Sequence, residues 1–284
     1  MKKVISFSIL LGLLAVLPVG AQPNLIPAEV EGPGQLILVP QVAIDESPAI
    51  VPLGSAVDPA SGKKVEGLMF IHYKKSPTHK PRHNPGGNGG GETCFAYLAK
   101  GAKWKTIENW IMNTANSEGL DGTTLFNLQG ASLAKWEDAT DGVVGNSSGT
   151  NVFGNGTATG TTLVADTSSP DGQNEVYFGS ISDPGAIAVT IVWGIFAGPP
   201  SGRELVEWDQ VYDQVDFDWS AGAAGVAGKM DFDNIATHEN GHAGGMAHPS
   251  DSCTEETMYR FSANAETKKR TLNSGDIAGI DGLY

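Results

Sequence analysis

The stretch "ATHENGHAGGMAHPSDSCTEETMYRFS", residues 236–262, constrains this chain more than any other. His238 and His242 are four residues apart, so on an α-helix they share one face about a turn apart, where two imidazoles can grip one metal ion. Glu239 follows the first histidine directly and is placed to act on water at the metal rather than on the metal itself. Gly245 lets the chain leave the helix with unusual backbone angles, and His248 then returns as a third ligand. The pattern HExxHxxGxxH thus predicts a helix, a sharp turn and a Zn2+ site with three protein ligands and a fourth position left for water. A structural zinc site is normally closed by four ligands, so the count points to catalysis. A bare HExxH arises by chance, but the added glycine and third histidine make coincidence a poor explanation. The bland alternative, three histidines satisfied by carbonyls in a core, needs three buried polar rings in a run of Gly and Ala. Glycine at 241, 244 and 245 costs about 1 kcal/mol each in helix stability relative to alanine, so neighbouring strands and the metal are expected to hold the helix.

Compartment decides how the remaining residues are read. Lys2 and Lys3 precede an apolar run from Val4 to Val19, and Val19-Gly20-Ala21 offers small residues for cleavage, so residues 1–21 are expected to be a signal peptide and the protein to be secreted into the extracellular space. The apolar run is short for a membrane span of about 20 residues, and no later segment approaches that length. The net charge of the 284 residues is −14 and grows more negative when the two signal lysines go. Such a balance argues against nucleic acid or anionic membrane as partner. With 40 % hydrophobic residues and 37 glycines, the composition suits a loop-rich globular chain.

Residues 22–60 are rich in Pro, Val, Ile and Leu without helical periodicity, and "KKVEGLMFIHYKK" reads as one strand with Val65, Met69, Ile71 and Tyr73 on alternate positions. Residues 76–92, "SPTHKPRHNPGGNGGGE", cannot bury enough apolar surface to fold alone and read as a linker, with His79 and His83 simply solvated. Residues 22–92 are therefore expected to be a pro- or accessory segment, and 93–284 the catalytic domain. In that domain "KWKTIENWIMN" reads as a strand. "DGTTLFNLQGASLAKWEDAT" reads as an amphipathic helix capped by Thr123 or Thr124, with Leu125, Leu128, Trp136 and Ala139 on its apolar face. "NVFGNGTATGTTLVA", "NEVYFGSI", "AIAVTIVWGIF" and "ELVEWDQVYD" are dense in β-branched and aromatic residues. Strand, helix, several strands and a second helix make an α+β pattern with one mixed sheet.

HExxHxxGxxH with a methionine turn is the metzincin signature, and Met258 lies ten residues after His248. The chain most resembles the matrixins, especially secreted prokaryotic ones. "RTLNSGDIAGIDGLY" is similar to the helix that closes a matrixin catalytic domain, and "ELVEWDQVYDQVDFDW" to the strand and Trp-containing loop before the active-site helix. The resemblance implies a mixed five-stranded sheet, an active-site helix, a C-terminal helix and two subdomains flanking a cleft. It implies a zinc-dependent endopeptidase acting on protein or peptide substrates, with His238, His242 and His248 on zinc, Glu239 as general base and Met258 as the floor beneath the metal. "AIAVTIVW" resembles the edge strand along which matrixins align substrate by backbone hydrogen bonds; an ordinary interior strand is the other reading.

Pro249, where matrixins usually carry serine, and Gly244-Gly245-Met246, in place of a leucine-containing run, depart from the family pattern. The PRCGxPD propeptide motif is missing, as are the histidines of the second zinc site of animal matrixins. Asp166, Asp171 and Asp183 are candidate Ca2+ ligands by residue type, but Asp beside Gly and Pro is also plain loop chemistry, and no calcium site is assigned. Two cysteines in an oxidising compartment point to a Cys94–Cys253 disulfide; the competing reading makes Cys94 a fourth zinc ligand that keeps a precursor latent. Asn146 and Asn155 head N-x-S/T sequons. Against the endopeptidase stands a secreted zinc-containing binding or surface protein of the same fold that has lost turnover, a reading the intact Glu239 opposes.

Overall fold

The structure, a computed structural model, describes residues 36–39, 50–75 and 93–284. The expected signal peptide, the linker and His79 and His83 lie outside the described residues. In chain order the first strands are β1 (Leu36–Ile37), β2 (Ile50–Val57), β3 (Lys64–Lys74), β4 (Ala96–Tyr97) and β5 (Glu108–Asn113). Helix α1 (Gly122–Asp138) is followed by β6 (Phe153–Thr159), β7 (Asn174–Ile181), β8 (Ala186–Ile195) and β9 (Glu204–Asp213). Then come β10 (Trp219–Ser220), β11 (Met230–Asp231), α2 (Phe232–Ala243), β12 (Met246–Ala247), β13 (Phe261–Ser262) and α3 (Ser274–Asp281).

One mixed sheet runs β13-β3-β8-β9-β7-β5-β6, with β2 attached to β3 and β1 to β7. The five strands expected from the catalytic part are all present, as β5 to β9. Strands β5, β6, β7 and β9 are parallel to their neighbours among themselves, and β8 is antiparallel to β9. Strand β7 is buried at every position and β8 at all but its last, because the sheet is covered on both faces, which is why these stretches read as nearly continuous apolar runs. One face packs Val176, Phe178, Val192, Trp208 and Tyr212 against helical residues such as Leu125, Trp136, Phe232 and Ile235. The other face buries Met69, Ile71, Tyr177, Val189, Ile191 and Trp193 with Tyr259 and Phe261.

The sheet is larger than expected, because β2 and β3, which precede the boundary expected at residue 93, belong to it. Strand β3 pairs antiparallel with β8 from Glu66↔Gly194 to Tyr73↔Ala186. The alternation that marks Val65, Met69, Ile71 and Tyr73 as one apolar face is correct, and that face is buried in the second core. What it could not disclose is that the strand's partner is β8, more than a hundred residues away.

Helix α1 starts at Asp121 rather than at a threonine: its carboxylate accepts from Thr124 N and Thr124 Oγ1, both at 2.8 Å. A carboxylate satisfies two donors at once and suits the positive end of the helix dipole. Helix α2 is capped the same way by Asp231, which accepts from Asn234 N at 2.9 Å. The two helices lock together where Trp136 Nε1 donates to Thr237 O at 2.7 Å. Below α2, Gln129 of α1 donates to Asn240 Oδ1 at 2.9 Å, and Gln210 of β9 donates to the same oxygen at 2.9 Å. This buried amide cluster fixes the rotation of α2, since any other angle would orphan those groups.

Candidate metal centre

Helix α2 carries His238, Glu239 and His242, and the turn after it brings in His248. Gly245 has φ +102°, and a Cβ there would lie 2.8 Å from Leu283 Cδ2 and 3.0 Å from the Ala102 carbonyl oxygen. Only glycine satisfies both the backbone angle and the close approach. Beyond it, β12 pairs antiparallel with β4, and a Cys94–Cys253 disulfide, Cα–Cα 5.5 Å, ties the loop after His248 to the start of this part of the chain. Cys94 is thereby excluded as a thiolate ligand.

The three imidazoles converge. His238 Nε2 and His242 Nε2 each lie 3.1 Å from His248 Nε2. His238 Nδ1 donates to Thr257 O at 2.6 Å, and His242 Nδ1 donates to Met246 O at 2.8 Å. These bonds place the protons on Nδ1 and leave both Nε2 lone pairs bare, facing a third nitrogen across a buried gap. His248 can offer at most one proton to the two, whereas one cation satisfies all three. Tetrahedral zinc with Zn–N of about 2.0–2.1 Å needs nitrogens about 3.3 Å apart, so the residues present fit the ion. Burial holds His242 down to about 3 and depresses His238 and His248 well below the usual imidazole range, which keeps the rings neutral as ligands require.

Met258 lies under the helix. A Cβ added at Gly241 would come within 2.2 Å of Met258 Sδ and 2.6 Å of Trp136 Cζ2, so the helical glycine at 241 exists to admit the sulfur. The turn carrying Met258 is held by Asp276 at the start of α3: Oδ2 accepts from Thr257 N at 2.7 Å and Oδ1 from Met258 N at 3.1 Å. Glu256 returns the grip by accepting from Gly275 N at 3.0 Å and Asp276 N at 3.1 Å.

Glu239 is fully buried, and both its oxygens are engaged. Oε2 accepts from Thr190 Oγ1 of β8 at 2.6 Å, and Oε1 lies 2.9 Å from His72 Nδ1 of β3. Desolvation lifts its carboxyl to about 8 against the opposing pull of the Thr190 bond and the Lys269 charge. His72 Nε2 lies 3.0 Å from Ser262 Oγ, and its ring centroid is 3.8 Å from that of His238. Phe70, two residues earlier on the same face of β3, stacks on His242 at 4.3 Å. His238, His242, His248 and Glu239 are consequently at most 4 % exposed.

Every zinc and base residue expected from sequence is therefore brought together, and Met258 is where the resemblance puts it. Of the two readings of "AIAVTIVW", the interior strand holds and the edge strand does not: β3 covers the side of β8 away from β9. The three aspartates weighed for calcium do not share one site. Asp166 gathers with Glu207 and Asp209, ligand atoms within 4.8 Å of one another, while Asp183 accepts from Gly185 N in the β7–β8 turn at the opposite end of β8. Both sequon asparagines are exposed. Sequence reasoning missed His72, Thr190 and Asp276. For His72 a signal existed: it is a polar residue directly after the apolar run Leu68–Ile71, on the face of β3 opposite Met69, Ile71 and Tyr73.

Helix, turn, third histidine and methionine floor beneath a mixed sheet define the class, a metzincin-type metallopeptidase. Comparison then supplies the family: residues 107–284, more than half of the chain, match the matrixins, and the chain belongs to the matrixin family. A search of curated proteins found no match. Family membership implies zinc as the metal and peptides as substrates, and among the described residues no helix is long and apolar enough to cross a membrane.

Proposed function

We propose that the protein is a secreted zinc-dependent endopeptidase in which Glu239 is the general base. The observation that carries this reading is the pairing of three converging, carbonyl-anchored imidazoles with a carboxylate one residue from the first. His238, His242 and His248 would hold the ion, which when bound supplies a Lewis acid that polarises the scissile carbonyl and acidifies water. Glu239 takes the proton from the attacking water and delivers it to the leaving amine as the C–N bond breaks. Thr190 orients the carboxylate for both transfers through the 2.6 Å bond to Oε2. Secretion is supported by the basic and apolar start of the chain and by the disulfide, which persists in oxidising compartments.

One observation favours the second reading, a zinc protein without turnover: Glu239 is buried and His72 occupies the oxygen that water would need. The two are separated by metal analysis and by casein or gelatin hydrolysis, with and without chelator. The full-length chain is assayed both intact and after a cut between residues 76 and 92. One zinc per chain with chelator-sensitive hydrolysis in either form supports the endopeptidase; bound zinc with no hydrolysis in both forms assigns the binding protein.

A further inference from the structure

The three metal-binding histidines are not held alike. His238 Nδ1 donates to Thr257 O and His242 Nδ1 to Met246 O, so each of the two helix-borne rings is fixed on its far side by a carbonyl. His248 comes from the loop after α2, and its Nδ1 is buried with no hydrogen-bond partner among the described residues. The ring meets Phe70 edge-on at 6.2 Å and lies 5.1 Å and 4.6 Å from the rings of His238 and His242, and none of these contacts bonds Nδ1. A metal-bound imidazole ordinarily has its second nitrogen bonded to a partner that sets the orientation of the ring. For His248 that control has to come through the backbone.

The backbone after His248 is stiff. Pro249 has its own φ fixed by the ring and confines His248 to extended conformations. Two residues further on, Asp251 is clamped: Oδ1 accepts from Arg260 Nε at 2.7 Å and Oδ2 from Arg260 Nη2 at 2.8 Å, with both residues buried. The guanidinium also lies 4.4 Å over the ring of Phe261. Arg260 stands just past Met258, whose N–H is held by Asp276, and past Thr257, whose carbonyl holds His238. The methionine turn thus sets the ring of His238 directly, and the fork of Arg260 carries the same reference to the loop of His248.

A fork suits this task. Two parallel bonds from a planar guanidinium to one carboxylate fix direction as well as distance, which a lysine ammonium does not. A buried ion pair can often be replaced by apolar groups at no loss of stability, so stability alone gives little reason for paired charges at this place.

We propose that Asp251 and Arg260 are the positioning pair of the third zinc ligand: their bidentate bond pins the loop three residues past His248 to the methionine turn and so orients an imidazole that has no hydrogen bond of its own. The proposal rests on the zinc site of the endopeptidase reading but not on turnover.

The test uses the full-length chain. Removing one partner alone leaves a bare buried charge, so the variant is Asp251→Leu/Arg260→Met, compared with Arg260→Lys, which keeps the charge and loses the fork. Zinc affinity is read by competition with a chelating indicator and folding by the melt of the metal-free chain. Ligand geometry is read from the visible bands of bound Co2+, which weaken when a nitrogen ligand gives way to additional water. The double variant should fold, bind zinc about 10- to 100-fold more weakly and show weakened Co2+ bands, with Arg260→Lys between it and the parent. In a His248→Ala background the same double substitution should change zinc affinity by less than about 2-fold, because the ligand through which it acts is gone. Parental zinc affinity in the folded double variant or in Arg260→Lys overturns the proposal, as does an equal loss with and without His248, which would make the pair a general support of the fold. A parent that holds zinc and hydrolyses no casein, intact or cut, counts against the endopeptidase alone, whereas unchanged zinc affinity counts against the pair alone.

Discussion

Asp276 reaches across from α3 to hold the backbone of Met258: its Oδ1 accepts from Met258 N at 3.1 Å while Oδ2 accepts from Thr257 N at 2.7 Å. The carbonyl of the same Thr257 receives the Nδ1 proton of His238 at 2.6 Å. A carboxylate outside the metal site thereby sets the height of the methionine floor and the tilt of one ligand. Partners that orient a metal ligand in this way are typically worth 10- to 100-fold in metal affinity.

Asp276→Ala is accordingly expected to weaken zinc by about 10- to 100-fold and to cost about 3 kcal/mol of stability, because buried amides lose a charged acceptor. Competition titration against a zinc indicator reads the first effect, and a denaturant melt of the metal-free chain reads the second. Unchanged zinc affinity in a folded variant would remove Asp276 from the support of the site.

Gly241→Ala pits two effects against each other. Alanine favours the helix by about 1 kcal/mol, but its Cβ meets Met258 Sδ at 2.2 Å and Trp136 Cζ2 at 2.6 Å. Overpacking of this kind costs about 1–3 kcal/mol, and Trp136 is a rigid wall tied to Thr237, so the variant should melt lower than the parent. Adding Met258→Ala should recover part of the loss, a non-additivity that a double-mutant cycle measures. A higher melting temperature for Gly241→Ala alone would contradict the packing argument.

Glu239 and the histidines have separable tasks. In the cut chain, Glu239→Gln keeps the shape and the metal but lowers hydrolysis by about 100-fold or more, the scale of a lost general base. His242→Ala should lose zinc and activity together, since two remaining ligands hold the ion poorly. Zinc content by elemental analysis and initial rates on one peptide decide the matter; a Gln variant as fast as the parent would falsify the role of Glu239.

Non-reducing peptide mapping of the chain should recover Cys94 and Cys253 in one linked pair. Cys94→Ser should destabilise the chain by about 2–5 kcal/mol, the range for native disulfides in secreted domains, with a chain-entropy upper figure of about 5 kcal/mol for so long a loop. Two free thiols in the mapped protein would contradict the bridge.

The carboxylates between β7 and β9 give stability a pH dependence of defined sign. Burial, aided by the charge of Asp209, pushes Glu207 up to about 10, and burial lifts Glu175 to about 7. The folded chain therefore holds protons that the unfolded chain releases near pH 4.5. Their stabilising contribution is complete below that value and is lost as pH rises through about 7 for Glu175 and towards 10 for Glu207. Glu207→Gln should gain stability relative to the parent between pH 5 and pH 8, by at most about 1.4 kcal/mol per pH unit. Taking the difference in metal-free buffer cancels the histidine contributions. A variant whose advantage shrinks over that interval would reverse the sign assigned to this cluster.

The metal site was legible in the order of residues because its parts are local. Two histidines and a glutamate within one and a half turns share a helix face whatever surrounds them, and a glycine three residues after His242 leaves few ways for the chain to run. The five strands from β5 to β9 and helix α1 were legible for the same reason, since apolar periodicity is a property of neighbours in sequence, whereas α2 followed from the histidine spacing and α3 from the resemblance of "RTLNSGDIAGIDGLY" to the closing matrixin helix. The parity of Met69, Ile71 and Tyr73 likewise showed that residues 64–74 bury one face. Parity does not say which strand lies alongside, because strand pairing is a contest among distant segments, settled by the packing of the whole sheet. That contest put β3 against β8, made β8 an interior strand, and joined residues 64–74 to the core. It also brought His72 to Glu239 across 167 positions of chain and set Asp276 beneath the methionine turn. No spacing rule spans such distances; only the sheet and its two packed faces decide what meets Glu239.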